Sequence, residues 1–535
     1  MPLGAELTRR RFLNLSAQAL AGALAAPTLS CRGGISLARW PAQDPFSLGV
    51  AAGDPSPDSF VIWTRLAPDP LSADPDAPGG VADGDLAVGY EIASDEAMRN
   101  VVQRGTAAAE AAFAHSVHVE VRGLGAGRPY WYRFRSGDAQ SRVGRARTAP
   151  ARGASLERLR FACASCANYE AGYFAAYRHL AAEEPDVVVF LGDYIYEYLE
   201  KRRPTVRTHS DGVEATTLPT YRNRYAQYRL DPDLQGLHAS VAALVTWDDH
   251  EVQNDYADRW SPSFDDPEQF LRRRAAAYQA FYEHMPLRPS RARPSGPALR
   301  LNERFAFGDL VLFSVLDGRQ YRSREACYAK PDHGGGHVET DASCPELRDP
   351  ARSLLGSGQE AWLADGLASS PARWNVIAQD VMMAQLRERQ ADGSLGFWTD
   401  DWNGYPASRS RLLQHVHDQR VRNPVVLSGD IHSFWANDLK LDFDDPRSPT
   451  VASELVGTSI TSYPPPYEKF AAYLADNPHV RFFDSRQRGY LVCDATRAQL
   501  TARFQVISDP MDRGATLATL ASFAIEDGRP GPLRA

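Results

Sequence analysis

Between residues 45 and 150 short apolar runs alternate with turn residues. Positions 60–64 are β-branched and aromatic, 88–92 and 117–121 alternate apolar with other residues, and 130–134 is aromatic. That period of two is the mark of half-buried strands. Gly- and Pro-rich turns separate the runs, Gly123-Leu124-Gly125-Ala126-Gly127 among them. Short strands at this spacing predict a small all-β sandwich of fibronectin or immunoglobulin type over 45–150. It carries no cluster of reactive residues and reads as a packing or substrate-shaping module.

From about Leu159 the pattern changes. Continuous apolar runs at 159–162, 187–191, 243–246, 310–316, 375–378 and 425–427 alternate with stretches of helical spacing, such as Phe174, Tyr177 and Leu180, or 270–282. Buried strands joined through helices predict a layered α/β domain. Pro- and Ser-containing linkers lie near 286–297 and 464–466, and there is no internal repeat.

The 535 residues are enough for two or more domains. A formal net charge of −8 argues against a nucleic-acid partner gripped by a broad basic surface, but leaves room for a local basic pocket. The N-terminus reads as a targeting segment. Thr8-Arg9-Arg10-Arg11-Phe12-Leu13 precedes a short, alanine-rich apolar run at 15–26, the layout of an export signal over 1–31. Its spacing resembles the twin-arginine signal of proteins exported already folded, which implies the twin-arginine export machinery as a partner and a periplasmic or secreted mature chain. No run reaches the ~20 apolar residues of a transmembrane helix. Cys31 is a candidate lipidation site, although Thr28-Leu29-Ser30 matches a lipobox poorly.

Six cysteines do not make a disulfide scaffold. Cys327 and Cys344 flank a Gly- and His-containing insert and can pair in an oxidising compartment. Cys163 and Cys166 form a CxxC with no second pair and no thioredoxin-like pattern, and Cys493 lies in an apolar string.

The chemistry gathers where strands end, the place where layered α/β folds assemble their sites. One run ends in Cys163-Ala164-Ser165-Cys166 and a second in Gly192-Asp193-Tyr194-Ile195-Tyr196-Glu197. A third ends in Trp247-Asp248-Asp249-His250-Glu251, with Asn254 and Asp255 just beyond, and a fourth in Ser428-Gly429-Asp430-Ile431-His432-Ser433. Gly residues before the ligand types allow a sharp turn. Asp430 and His432, two apart, share one side of an extended segment. A Gly-Asp strand end alone is ordinary turn chemistry, and the Asp248–Glu251 run alone suits a solvated loop. Four metal-ligand sets, each after its own strand, point to a metal site.

The order GD-Y-I-Y-E, W-D-D-H-E, G-D-I-H-S resembles the PhoD-like alkaline phosphatase and phosphodiesterase family, within the calcineurin-type metallophosphoesterases. Supporting strings are Leu316-Asp317-Gly318-Arg319-Gln320-Tyr321-Arg322, Trp402-Asn403-Gly404-Tyr405-Pro406 and Glu454-Leu455-Val456-Gly457-Thr458-Ser459. The chain departs from the usual superfamily pattern: Ser165-Cys166 stands where D-x-H would be, and Asp248–Glu251 replaces GNH[DE]. The resemblance implies a four-layer αββα catalytic domain over 158–515 with ferric iron and calcium at its centre. Matched motif by motif, Cys166, Asp193, Tyr196 and His432 would hold Fe(3+). Asp193 would bridge to Ca(2+), with Asp249, Asn254 and Asp430 on the calcium side and Asp255 the alternative to Asn254. Thiolate, phenolate and imidazole suit a transition metal, and carboxylate and amide oxygens suit calcium, although zinc or manganese is not excluded by ligand type.

The implied activity is alkaline phosphatase D-type hydrolysis of phosphate monoesters, diesters or both by metal-bound hydroxide. His250 is the expected general acid and Arg319 the expected phosphate clamp, with Trp402 and Tyr405 at the mouth. The alternative activity is a phospholipase D-type phosphodiesterase. Two further readings are a non-catalytic protein that captures phosphate or metal, and a thiol oxidoreductase using Cys163 and Cys166.

Overall fold

The computed structural model describes residue 40 and residues 43–82, 84–263, 265–328 and 335–535. The export-signal segment 1–31, with its arginines and Cys31, lies outside the described residues. Two large sheets stack face to face. The first has ten strands in the order Arg529–Arg534, Leu517–Glu526, Gln499–Ile507, Arg488–Thr496, Arg158–Ala164, Val187–Leu191, Ala242–Thr246, Val50–Ser56, Ser59–Arg65 and Ser116–Arg122. The second has seven: Glu303–Phe307, Val311–Val315, Trp374–Ala378, Pro424–Ser428, Thr450–Val456, Phe434–Lys440 and Val480–Asp484.

The central strands Val187–Leu191, Ala242–Thr246, Trp374–Ala378 and Pro424–Ser428 are buried at every position because both of their faces are covered. In Val187–Leu191, all buried, Val187, Val189 and Leu191 point into the core between the sheets. Val188 and Phe190 point the other way, into the core under the helices Ala175–Ala182, Leu218–Arg229, Pro232–Ser240 and Pro267–His284. Phe161 of the first sheet meets Phe313 of the second edge-on, ring centroids 5.1 Å apart. Burying each such side chain contributes about 1.5–3 kcal/mol. On the far side of the second sheet, Ile377 and Val426 pack under the helices Gly356–Ala368 and Pro406–Asp418. The result is the expected αββα layering.

The N-terminal region is all-β, as its alternation predicts, but it does not stand apart. Strand Val50–Ser56 pairs in parallel with Ala242–Thr246, with Ala52 opposite Ala242, so three N-terminal strands continue the first catalytic sheet. The strands Val101–Ala109, Leu86–Ala93, Pro129–Ser136, Ala139–Gln140 and Gly144–Arg147 form a separate sheet. It packs its Val88, Ile92, Tyr132 and Phe134 onto Phe60, Ile62 and Val117. The extension covers the edge that the fully buried strand Ala242–Thr246 would otherwise expose. At the other end, pairing continues beyond 515 to Arg534. Cys327 and Cys344 are joined as a disulfide. Among the described residues no helix is long and apolar enough to cross a membrane.

Candidate metal centre

The four strand tips converge. A sulfur, oxygen or nitrogen atom from each of Cys166, Asp193 and His432 lies within 4.8 Å of the others, and Asp193, Asp249 and His250 form a second such group sharing Asp193. A third group, Asp249, Asp255 and Asp400, shares Asp249 with the second. The three groups are therefore one continuous line of donors.

The backbone that brings them together is strained. Cys166, Asp193, Asp430 and His432 have φ of +59°, +52°, +62° and +54°, in the left-handed region that non-glycine residues rarely occupy. Asp430 and His432 are thus not on an extended segment: each sits on its own left-handed turn, which aims the side chains more sharply than a strand would. Close approach explains two glycines. A Cβ on Gly192 would lie 2.4 Å from Cβ of Asp248, and one on Gly429 would lie 2.5 Å from Oγ of Ser165.

Glu251 brackets two of the tips. Its carboxylate accepts the backbone N–H of Asp193 at 3.1 Å, of Tyr194 at 2.6 Å and of Asp248 at 2.9 Å. Burial pushes its carboxyl up to about 7 despite these donors. Tyr196 donates its hydroxyl to Asp193 Oδ2 at 2.8 Å, lies 3.1 Å from His432 Nε2, and accepts from Ser462 Oγ at 2.7 Å. Burial and the neighbouring Asp193 raise the Cys166 thiol and the Tyr196 phenol well above their ordinary values. Burial lowers His432 to about 3, leaving a neutral imidazole. Its Nδ1 is fixed against the carbonyl of Tyr463 at 2.8 Å.

The acidic side is governed by charge. Burial, joined by Asp249, Glu251 and Asp430, raises Asp193 well above the carboxylate range against the opposing pull of His250. Burial, with Asp249, lifts Asp430 to about 7. Asp249 goes the other way: burial opposes its charge, but His250 and Arg319 hold it below the usual range. Burial alone would lower His250, yet Asp249, Glu197 and Asp193 together hold it well above an ordinary histidine. His250 Nδ1 meets Glu197 Oε2 at 2.7 Å, which orients the ring and leaves Nε2 for other work. The ring of Tyr196 lies 4.2 Å from it, centroid to centroid.

Several expectations change. Arg319 is not an open clamp. Its side chain is 0 % exposed, with Nε 2.5 Å from Asp248 Oδ1 and Nη1 2.8 Å from Asp400 Oδ1. It is a strut between two loops, because four carboxylates within 4 Å capture the guanidinium. Asn254 is exposed and its backbone N–H is held by Glu197. Asp255, its alternative, is the residue placed among the acidic donors. Trp402 and Tyr405 are fully buried rather than at a mouth. Trp402 donates to Gln379 at 2.7 Å and Tyr405 to the carbonyl of Ser323 at 2.6 Å. Cys163 sits in the core between the sheets, apart from the donor group that holds Cys166.

Sequence reasoning also missed partners. Glu197 and Glu251 stood inside motif strings without a role, and Asp400 lies two residues before a noted string. Arg488, which donates to the carbonyls of His432 and Ser462, sits in a strand with no local signal.

The donor set fits cations. Asp193 Oδ1 is enclosed without a hydrogen-bond partner, and an enclosed carboxylate oxygen needs a counter-charge.

Known proteins show the family and the fold of the chain. The family model described as PhoD-like phosphatase matches residues 161–504, and the model for the PhoD-like phosphatase N-terminal domain matches 32–150. The chain is 44 % identical over 494 residues to a protein named alkaline phosphatase D from Bacillus subtilis (strain 168), covering 91 % of this chain and 82 % of that one. A solved structure of PhoD superposes with a TM-score of 0.87 at 43 % identity, covering 93 % of each chain. A purple acid phosphatase from yellow lupin seeds shares the fold, with a TM-score of 0.53 at 12 % identity over 90 % of this chain and 74 % of that one.

Proposed function

The chain belongs to the PhoD-like phosphatase family and is a phosphoric ester hydrolase, and from that premise we propose that its strand-tip cluster is a mixed iron–calcium centre acting on phosphate monoesters, diesters or both. The observation that carries this reading is the continuous line of donors running from Cys166 through Asp193 and Asp249 to Asp400. Cys166, Asp193, Tyr196 and His432 would hold ferric iron, because thiolate, phenolate and imidazole are the ligands of a transition metal. Asp193, Asp249, Asp430, Asp255 and Asp400 offer the oxygens calcium takes. When bound, such cations polarise water and neutralise phosphoryl oxygens.

The chain's own residues do the rest. His250, held charged by Asp249, Glu197 and Asp193, keeps a proton on Nε2 for the leaving oxygen. Glu197 fixes the ring through Nδ1. Arg319 positions Asp248 and Asp400 and so the acidic loops. Glu251 holds the strained tip at Asp193 and the strand end at Asp248 in place.

The twin-arginine-like start supports export to the periplasm or beyond, and the Cys327–Cys344 disulfide belongs to an oxidising compartment. The test of function is phosphate release from nitrophenyl and bis-nitrophenyl phosphate before and after chelation. Turnover is expected to vanish on chelation and return with iron and calcium. Undiminished turnover in fully chelated protein would overturn the reading. The ratio of the two rates decides between a phosphatase and a phospholipase D-type diesterase.

A further inference from the structure

A cavity of about 570 Å³ opens at the start of the helix Gly356–Ala368, and none of the metal-centre side chains lines it. The helix begins Gly356-Ser357-Gly358, with no side-chain cap and no acidic residue in its first turn. Its first N–H groups and the positive end of its dipole therefore face the cavity without a competing carboxylate.

A second observation points to a ligand. Asn302 lines the same cavity, is 9 % exposed, and its amide makes no hydrogen bond among the described residues. The amide is not enclosed by protein, so its donors and acceptor open onto the cavity. Arg300, beside it on the rim, forms no ion pair among the described residues. The one carboxylate in the lining, Asp258, is occupied by Arg274 at 3.0 Å. Two aromatic rings complete the wall. Tyr321 is 42 % exposed, and Trp362 is backed by the guanidinium of Arg304, 4.1 Å from the ring centroid.

We propose that this cavity is a second oxyanion site, taking a phosphate group between the helix start, Asn302 and Arg300. The donors are those that bind phosphate elsewhere in proteins: helix N–H groups, a guanidinium and an amide. The group is supplied either by free inorganic phosphate or by an organic phosphoryl compound whose apolar part rests on Tyr321 and Trp362. This inference stands apart from the metal-centre reading, since it is judged by binding stoichiometry rather than turnover.

The test is calorimetric titration of the metal-loaded protein with inorganic phosphate and, separately, with phenylphosphonate, whose carbon–phosphorus bond resists hydrolysis. The wild type is expected to show two phosphate sites, one at the metal centre and one in this cavity, and only the cavity site is weakened, at least about tenfold, by the Arg300→Ser, Asn302→Leu double variant, as expected for loss of a charge-assisted contact. Tighter binding of phenylphosphonate at that site assigns an organic phosphoryl ligand; tighter binding of phosphate assigns the free anion. Identical isotherms in wild type and variant would overturn the proposal. Arg300→Ser alone, at an exposed position without partners, gives the same reading should the double variant fail to fold.

Discussion

Replacing Asp193 with Asn removes turnover and metal together. The substitution keeps the shape of the side chain and the backbone N–H that Glu251 holds, so the left-handed tip survives. It removes the carboxylate that joins the Cys166–His432 group to the Asp249–His250 group. Loss of metal-supplied charge stabilisation costs several kcal/mol of barrier, about a thousandfold or more in rate. Elemental analysis of Asp193→Asn should show both metals depleted, with an unchanged far-ultraviolet circular dichroism spectrum. A variant that keeps both metals and full activity would mean that Asp193 is not the bridge.

Replacing His250 with Ala separates chemistry from binding. Nδ1 of His250 is engaged by Glu197, so the proposed proton sits on Nε2. Losing a general acid costs about 10²–10⁴-fold in rate. The loss should be largest for alkyl phosphates, whose leaving oxygen must be protonated, and small for nitrophenyl phosphate, whose phenolate leaves unaided. Metal content should remain at the wild-type level. Since His250 also lies within ligand reach of Asp193 and Asp249, metal lost from His250→Ala would reassign it as a ligand. An equal loss on both leaving groups would remove the acid role.

Much of the centre was legible because the ligand types followed apolar runs that could only be buried strands. Asp193, Asp249, Cys166 and His432 each stood two to five residues past such a run. What failed was whatever depended on tertiary reach. Arg319 looks like a clamp in sequence because nothing local shows Asp248, Asp380 and Asp400 closing on it from other loops. Asn254 and Asp255 are neighbours, and only the path of the loop selects the latter for the acidic group. Asp430 and His432 share a side in an extended chain, but the structure turns each into the left-handed region, which no residue type there announces. Trp402 and Tyr405 read as rim aromatics, yet their polar tips find partners in the buried Gln379 and the carbonyl of Ser323, which lets both sink into the core. The N-terminal strands were recognised by alternation, a signal that says nothing about which sheet they join. Val50–Ser56 pairs with a strand almost two hundred residues away.

The most direct test is metal analysis with a visible spectrum of protein purified without chelator, alongside Tyr196→Phe. The account predicts iron and calcium in the wild type and a broad visible band from phenolate-to-iron charge transfer that Tyr196→Phe abolishes. Protein that carries no metal, shows no band, and stays inactive when iron and calcium are restored would contradict it.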